Sequence, residues 1–178
     1  SLSYNYIISS DDAYAVTEKI EEIKKSFDYE LEYTSYDLED DGLYSLVDEI
    51  TTVSLFQEPK LIVCRSCEKL IDAKEKAFNE LVVAMNDINS QNVLIFVFLK
   101  HVDYNNERIA KFRKYASLID IRLKNISFED YIKQELNKDN FVIDDNALSL
   151  LVSYTTSLAM LKTTLDQLKC YKTEEKRI

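Results

Sequence analysis

The chain has 178 residues, of which 46% are hydrophobic and 30% are charged, and its formal net charge is −10. This length holds one good core, or a core with a small second module. The acidic balance excludes binding of a nucleic-acid backbone by bulk electrostatics, which needs clustered Lys and Arg, and it favours a protein partner. No apolar run approaches the roughly 20 residues of a membrane span, and no basic-then-apolar signal peptide opens the sequence. The three cysteines are an odd and sparse set, which is typical of a reducing cytosol, so we expect a cytoplasmic protein.

Apolar, β-rich segments alternate with amphipathic helical segments along the first two thirds of the chain. We predict strands at residues 4–8, 30–36, 60–65, 92–99 and 118–121. The fourth is almost entirely apolar, which is typical of a central strand covered on both faces. This alternation predicts βα units around a five-stranded parallel sheet.

Helical periodicity fills the spaces between the strands and takes over the last third of the chain. Between the second and third strands, one apolar stripe consists of Leu43, Leu46, Val47 and Ile50. Near the end, Ser127 and Asp130 form a helix-start pair, residues 144–154 predict a second helix, and leucines from Leu158 to Leu168 mark a third. We therefore expect an α/β domain followed by a short helical bundle, with the charged residues 173–178 as a solvated tail or a cut point.

The turn after the first strand lies where an α/β nucleotide-binding fold places its phosphate loop. Its residues are Ser9-Ser10-Asp11-Asp12, without glycine or lysine. A phosphate loop needs glycines so that backbone N–H groups can surround a phosphate, and a lysine to meet its charge. Carboxylates at the start of the helix would repel a triphosphate. The only glycine of the chain is Gly42, so we expect no phosphate-cradling loop elsewhere.

The end of the third strand also lacks the usual nucleotide chemistry. An Asp–Glu pair would hold Mg²⁺ there, but the strand closes with Val63-Cys64-Arg65-Ser66. Glu68, three residues beyond the strand, is interpreted as a surface charge. We predict a fold kept for its shape, with no ATPase activity and no cofactor.

An alternative interpretation uses Asp11 and Asp12 as the Mg²⁺ ligands of a phosphoacceptor receiver domain. That chemistry further needs an Asp at the end of the third strand, where Cys64 and Arg65 stand, and a Lys after the fifth strand, for which Lys124 is available. An atypical nucleotide-binding α/β domain is the related alternative.

The cysteines and the single histidine offer little chemistry. Cys64 and Cys67 could form half a zinc site, but zinc takes four ligands and only Cys170 and His101 remain. Two buried thiols at a strand end are favoured, and we predict no metal site. No nucleophile is arranged around His101, so hydrolytic catalysis is not expected.

A Leu–Phe pair follows the second helical stripe. Projected at 100° per residue, Val53 falls near the apolar face, while Leu55 and Phe56 fall about 120° and 140° away from it. A helix continuing through them would turn both outward until Pro59 stops it, and such a pair predicts a protein-binding site. In the alternative, the helix ends near Ser54 and both side chains fold back under the third strand.

These features resemble the delta subunit of the bacterial DNA polymerase III clamp loader. The similar segments are Tyr6-Ile7-Ile8 before a helix without a phosphate loop, residues 52–65 with Ser54-Leu55-Phe56, and Ala147-Leu148 with Leu165-Asp166-Gln167-Leu168-Lys169. The resemblance implies an AAA+-like domain at residues 1–124, without a functional phosphate loop, and a helical lid domain at residues 125–178.

The resemblance also implies a function. Members of this family do not hydrolyse ATP; they bind the sliding clamp and help to open it for loading onto DNA. Carried over by motif, Leu55 and Phe56 would form the apolar wedge, Val53 a neighbouring contact, and Ser54 would position them. The family's C-terminal collar domain, which contacts the other loader subunits, has no counterpart here. We therefore expect a monomeric piece that binds the clamp, meets DNA only indirectly within the complex, and does not bind membranes.

Overall fold

The computed structural model describes residues 4–52, 58–87, 90–122 and 127–178. The chain divides into two compact units, Ser1–Arg122 and Leu123–Ile178. No helix within the described ranges combines the length and the apolar character needed to cross a membrane.

The described part of the first unit contains a five-stranded sheet whose paired strands are all parallel, in the order β2-β3-β4-β1-β5. The strands are β1 (Asn5–Ser9), β2 (Glu32–Asp37), β3 (Lys60–Arg65), β4 (Val93–Phe98) and β5 (Ser117–Asp120). β4 is buried along its whole length, as its apolar sequence predicts. The β3 bounds agree with the prediction and the others differ by one or two residues. Because β1 lies between β4 and β5, the carboxyl ends of these three strands meet at one edge.

Helices cover both faces of this sheet. They are α1 (Ala13–Lys25), α2 (Leu43–Thr51), α3 (Lys69–Asp72), α4 (Glu75–Met85) and α5 (Glu107–Arg113). One face packs against α2, α4 and α5 in a core that includes Leu46, Leu81 and Phe112. The opposite face packs against α1 through Val16 and Ile20. The α/β fold class is confirmed, and the apolar stripes of the sequence are its core.

The described residues of the second unit form a helical bundle. Its helices are α6 (Phe128–Lys138), α7 (Asp145–Tyr154) and α8 (Leu158–Tyr171). The Ser127 hydroxyl caps α6 by accepting a hydrogen bond from the Asp130 N–H at 3.2 Å, as the helix-start pair predicts. The buried core of the bundle consists of Ile132, Leu136, Phe141, Leu148, Leu161 and Leu165.

The last residues do not form a free tail. The Ile178 N–H donates to the Val142 carbonyl at 2.8 Å, and the Val142 N–H donates to the Lys176 carbonyl at 2.9 Å. The Arg177 guanidinium lies 2.8 Å from an Asp144 carboxylate oxygen. Residues 173–177 are exposed, as predicted. The prediction of a free tail is wrong for residues 176–178, because backbone pairing with the segment between α6 and α7 holds them.

Candidate functional site

In the turn between β1 and α1, the serine side chains form hydrogen bonds with groups of the first unit. The Ser9 hydroxyl donates to the Lys100 carbonyl and accepts from the Val102 N–H, both at 2.9 Å. The Ser10 hydroxyl accepts from the Asp12 N–H at 3.1 Å, and both serines are fully buried. The Ser9 bonds tie the end of β1 to the segment that follows β4, and the Ser10 bond lies within the turn.

Asp12 is the N-cap residue of α1, at the helix start where nucleotide-binding folds bind a phosphate. Its carboxylate accepts hydrogen bonds from the Tyr14 N–H at 2.9 Å and the Ala15 N–H at 3.4 Å. Free N–H groups at a helix start are what bind a phosphate in nucleotide folds. Here an N-cap carboxylate satisfies them and supplies the negative charge that the helix dipole favours.

The end of β3 is linked to the end of β4. The Glu68 carboxylate accepts a hydrogen bond from the Leu99 N–H at 2.9 Å, and the Cys67 N–H donates to the Val97 carbonyl at 3.3 Å. Glu68 is therefore a partly exposed charge that also joins the end of β3 to the end of β4. Its partner lies 31 residues away along the chain, which local sequence patterns do not reveal.

Cys64 lies near the end of β3 and Cys67 just beyond it, and both thiols are buried. Cys67 Sγ lies 3.1 Å from the Cys64 carbonyl, to which it donates. Burial raises the pKa of the Cys67 thiol well above its ordinary value, so it stays protonated at neutral pH and is a poor zinc ligand. This confirms the interpretation as buried thiols. Within the described ranges, no group of three or more His, Cys, Asp or Glu side chains is placed to hold a metal ion.

His101 joins a polar cluster at the same edge of the sheet. Its Nδ1 lies 2.8 Å from Asp120 Oδ1, and its Nε2 lies 3.7 Å from Asp11 Oδ1. Asp120 also accepts hydrogen bonds from the Tyr104 hydroxyl at 3.0 Å and from Arg122 Nε at 2.9 Å. Partial burial acts to raise the pKa of Asp120, but these hydrogen bonds outweigh it and hold the pKa below its usual value.

This geometry gives the receiver-domain alternative no support. Asp12 is engaged as a helix cap, Asp11 faces His101, and Arg65 stands at the end of β3. Lys124 lies outside the described residues.

The predicted clamp-binding residues, Val53, Ser54, Leu55 and Phe56, also lie outside the described residues. The residues just before them show where the preceding helix stops. α2 ends at Thr51, and Thr52 is extended with φ −78° and ψ 122°. The α2 periodicity therefore cannot be projected to positions 55 and 56, and the predicted outward direction of both side chains loses its geometric basis.

Among the described residues, α2 and α4 border an open groove of about 690 Å³. Its lining includes the aliphatic residues Val47, Val83 and Ala84. Val83 is 74% exposed. The apolar stripes of the sequence did not predict this surface, although a signal for it is present: Val83 lies about 200° from the buried Leu81 around α4, off the apolar stripe.

The strand order and the capped turn at the carboxyl edge of the sheet together indicate the class of protein. Five parallel strands in this order form an AAA+-like α/β domain, and here the phosphate position is taken by a carboxylate cap. Residues 6–122, more than half of the chain, match the family described as DNA polymerase III, delta subunit. The chain belongs to this family, and both the recognised family and the fold class are confirmed.

A solved structure agrees with this assignment at the level of the fold. The Bacillus subtilis DNA clamp loader delta protein (YqeN) matches with a TM-score of 0.67 and 16% sequence identity, over 98% of this chain and 55% of that protein. The chain thus spans about half the length of that relative. No curated protein sequence matches the chain.

Proposed function

We propose that this chain is the clamp-binding part of a clamp loader delta subunit, which binds the sliding clamp and helps to open it for loading onto DNA during replication. The observation that carries the proposal is the capped β1–α1 turn in a member of the delta-subunit family. Asp12 takes the N–H groups that would bind a phosphate, so the AAA+-like domain acts by binding protein rather than by hydrolysing ATP.

The proposed clamp contact is the segment from Val53 to Phe56. Leu55 and Phe56 act as apolar anchors, Val53 adds a neighbouring contact, and Ser54 positions them. Burying a Leu or a Phe is worth roughly 1.5–3 kcal/mol each. Two such anchors, with a surrounding contact surface, support an affinity on the order of micromolar.

The proposal extends to domain organisation and partners. An AAA+-like domain at residues 1–124 precedes a helical lid domain at residues 125–178. Contacts with the other loader subunits depend mainly on the C-terminal collar domain of the family. The 178-residue chain is then a cytoplasmic monomer that needs no cofactor, and DNA is reached only within the assembled loader.

A binding titration with the sliding clamp of the same organism tests the proposal. The unsubstituted chain binds, and the double variant Leu55→Ala/Phe56→Ala loses binding while its thermal unfolding is unchanged. The matched control is Leu150→Ala/Tyr154→Ala, since these exposed residues form a Leu–aromatic pair on α7; it retains binding. A chain that does not bind the clamp contradicts the proposal, and a Leu55/Phe56 double variant that unfolds early assigns both residues to the core.

A further inference from the structure

A charged side chain is buried at the start of β3. Lys60 is the first residue of this strand, and only 7% of it is exposed. Its Nζ lies 3.1 Å from Glu49 Oε1 of α2. Burying a charge is costly even when it is paired, and an apolar pair of similar volume is often at least as stable. Stability alone is therefore a weak reason for a lysine and a glutamate at these positions.

The Lys60–Glu49 pair joins the two elements that precede and follow the proposed clamp contact. Glu49 lies in the last turn of α2, which ends at Thr51. The Lys60 Nζ also donates to the carbonyl of Thr52, at 3.4 Å. Residues 53–56 lie between Thr52 and Lys60 along the chain. The lysine side chain thus links the helix on one side of this segment to the strand on the other side.

Each of the two ends also has a bond that does not involve the lysine side chain. The main-chain N–H of Lys60 donates to Asn92 Oδ1 at 2.9 Å. The Thr52 N–H donates to the Asp48 carbonyl at 2.9 Å. These bonds fix the start of β3 and the end of α2 separately. The Lys60 side chain adds a polar link from one end to the other.

We infer that Lys60, held by Glu49, is a positioning residue for the proposed clamp contact. This inference rests on the proposed function. The link between α2 and β3 fixes the spacing of the two ends between which Leu55 and Phe56 lie. A segment with fixed ends loses less conformational freedom when it binds a partner. Lys60 acts through this segment and does not contact the clamp, because its own side chain is buried.

The test replaces the ion pair with an apolar pair of similar size, Lys60→Met/Glu49→Met. Both charges are removed together, so the thermal unfolding of the variant is expected to stay close to that of the unsubstituted chain. The Tyr36 hydroxyl, which donates to Glu49 Oε2 at 3.4 Å, belongs to a half-buried residue and bonds to water instead. Titration calorimetry with the sliding clamp is expected to show about tenfold weaker binding.

A second measurement does not depend on the clamp. Hydrogen exchange of the Thr52 amide is expected to be faster in the double variant, because the end of α2 has lost its link to β3. A pair that only stabilised the fold would change the global unfolding transition instead.

The matched control is Lys169→Met in the second unit. The Lys169 Nζ also bonds to a carboxylate and a main-chain carbonyl, at 2.6 Å from Asp139 Oδ2 and 3.0 Å from the Glu135 oxygen. The Asp139 side chain is 57% exposed, so it needs no second substitution. This variant is expected to bind the clamp with full affinity.

The outcomes separate this inference from the proposed function. If Leu55→Ala/Phe56→Ala loses binding while Lys60→Met/Glu49→Met binds with full affinity, the inference is wrong and the proposed function stands. Early unfolding of the Met double variant, unchanged exchange at Thr52, or an equal loss of affinity in Lys169→Met also overturns the inference. Failure of the unsubstituted chain to bind the clamp overturns both.

Discussion

The carboxyl edge of the sheet and the α2–α4 groove differ in how far their side chains find partners within the first unit. At the edge, the hydroxyls of Ser9 and Ser10 and the carboxylates of Asp12 and Glu68 bond to groups of the same unit. Throughout the described ranges, every buried side-chain nitrogen or oxygen atom has a hydrogen-bond partner. In the groove, by contrast, Val83 faces solvent. The edge that holds nucleotide in related folds is internally satisfied, and the open surface lies beside the helices.

The largest stability effect is expected at Ser9, whose hydroxyl joins the β1–α1 turn to residues 100–102. Ser9→Ala leaves the buried Val102 N–H without its acceptor, which costs about 1–3 kcal/mol of unfolding free energy. Urea unfolding followed by circular dichroism measures this loss. An unchanged urea midpoint would show that the Ser9 hydrogen bonds do not stabilise the carboxyl edge of the sheet.

The cap at Asp12 is expected to contribute less. Asp12→Ala removes the acceptor for two N–H groups at the start of α1 and costs about 1 kcal/mol. Glu21→Ala is the control: this exposed carboxylate lies in the middle of α1 and does not cap the helix, so the cost stays below about 0.5 kcal/mol. Differential scanning fluorimetry compares the melting temperatures of the two variants. Equal decreases would show that the Asp12 cap does not stabilise α1.

The Asp120 cluster predicts a pH dependence. Because the folded-state pKa of Asp120 is lowered, its contribution to stability is present above the unfolded-state pKa near 4 and is lost as the pH falls through the folded-state pKa. Asp120→Asn should therefore be less stable than the natural chain at pH 7, and the difference should shrink below pH 4. Chemical unfolding across that range measures it; a difference independent of pH would contradict the assignment.

The smallest stability effect is expected in the groove. Val83→Ala changes the unfolding free energy by less than about 0.5 kcal/mol, because the side chain is largely exposed. Thermal unfolding checks this. A larger loss of unfolding free energy would show that the Val83 side chain packs against its neighbours, and the groove would then not differ from the carboxyl edge of the sheet.

Local patterns predicted the elements well. Period-two and period-3.6 apolar spacing located the strands and helices, and the Ser127 and Asp130 pair marked the start of α6. The family followed from short segments, chiefly Ser54-Leu55-Phe56. What the patterns missed was non-local or a matter of boundaries. Glu68 bonds to Leu99, and residues 176–178 pair with the segment before α7, because these partners are brought together only by the fold.

The predicted clamp-binding segment shows most clearly what sequence periodicity cannot predict. Apolar spacing in α2 was extended past its end, but the backbone leaves the helical conformation at Thr52, before Pro59. Helix ends depend on capping bonds and tertiary contacts that periodicity does not contain. The proposal for Leu55 and Phe56 therefore relies on the family motif and not on the projected helix.

The central claim is that this domain binds the sliding clamp and has no nucleotide step. The most direct measurement is one calorimetric titration of the clamp into the 178-residue chain, with and without saturating Mg²⁺-ATP. We predict binding on the order of micromolar affinity that ATP leaves unchanged, and no heat when ATP alone is added to the chain. Binding of ATP to the chain, or no binding of the clamp, would contradict the account.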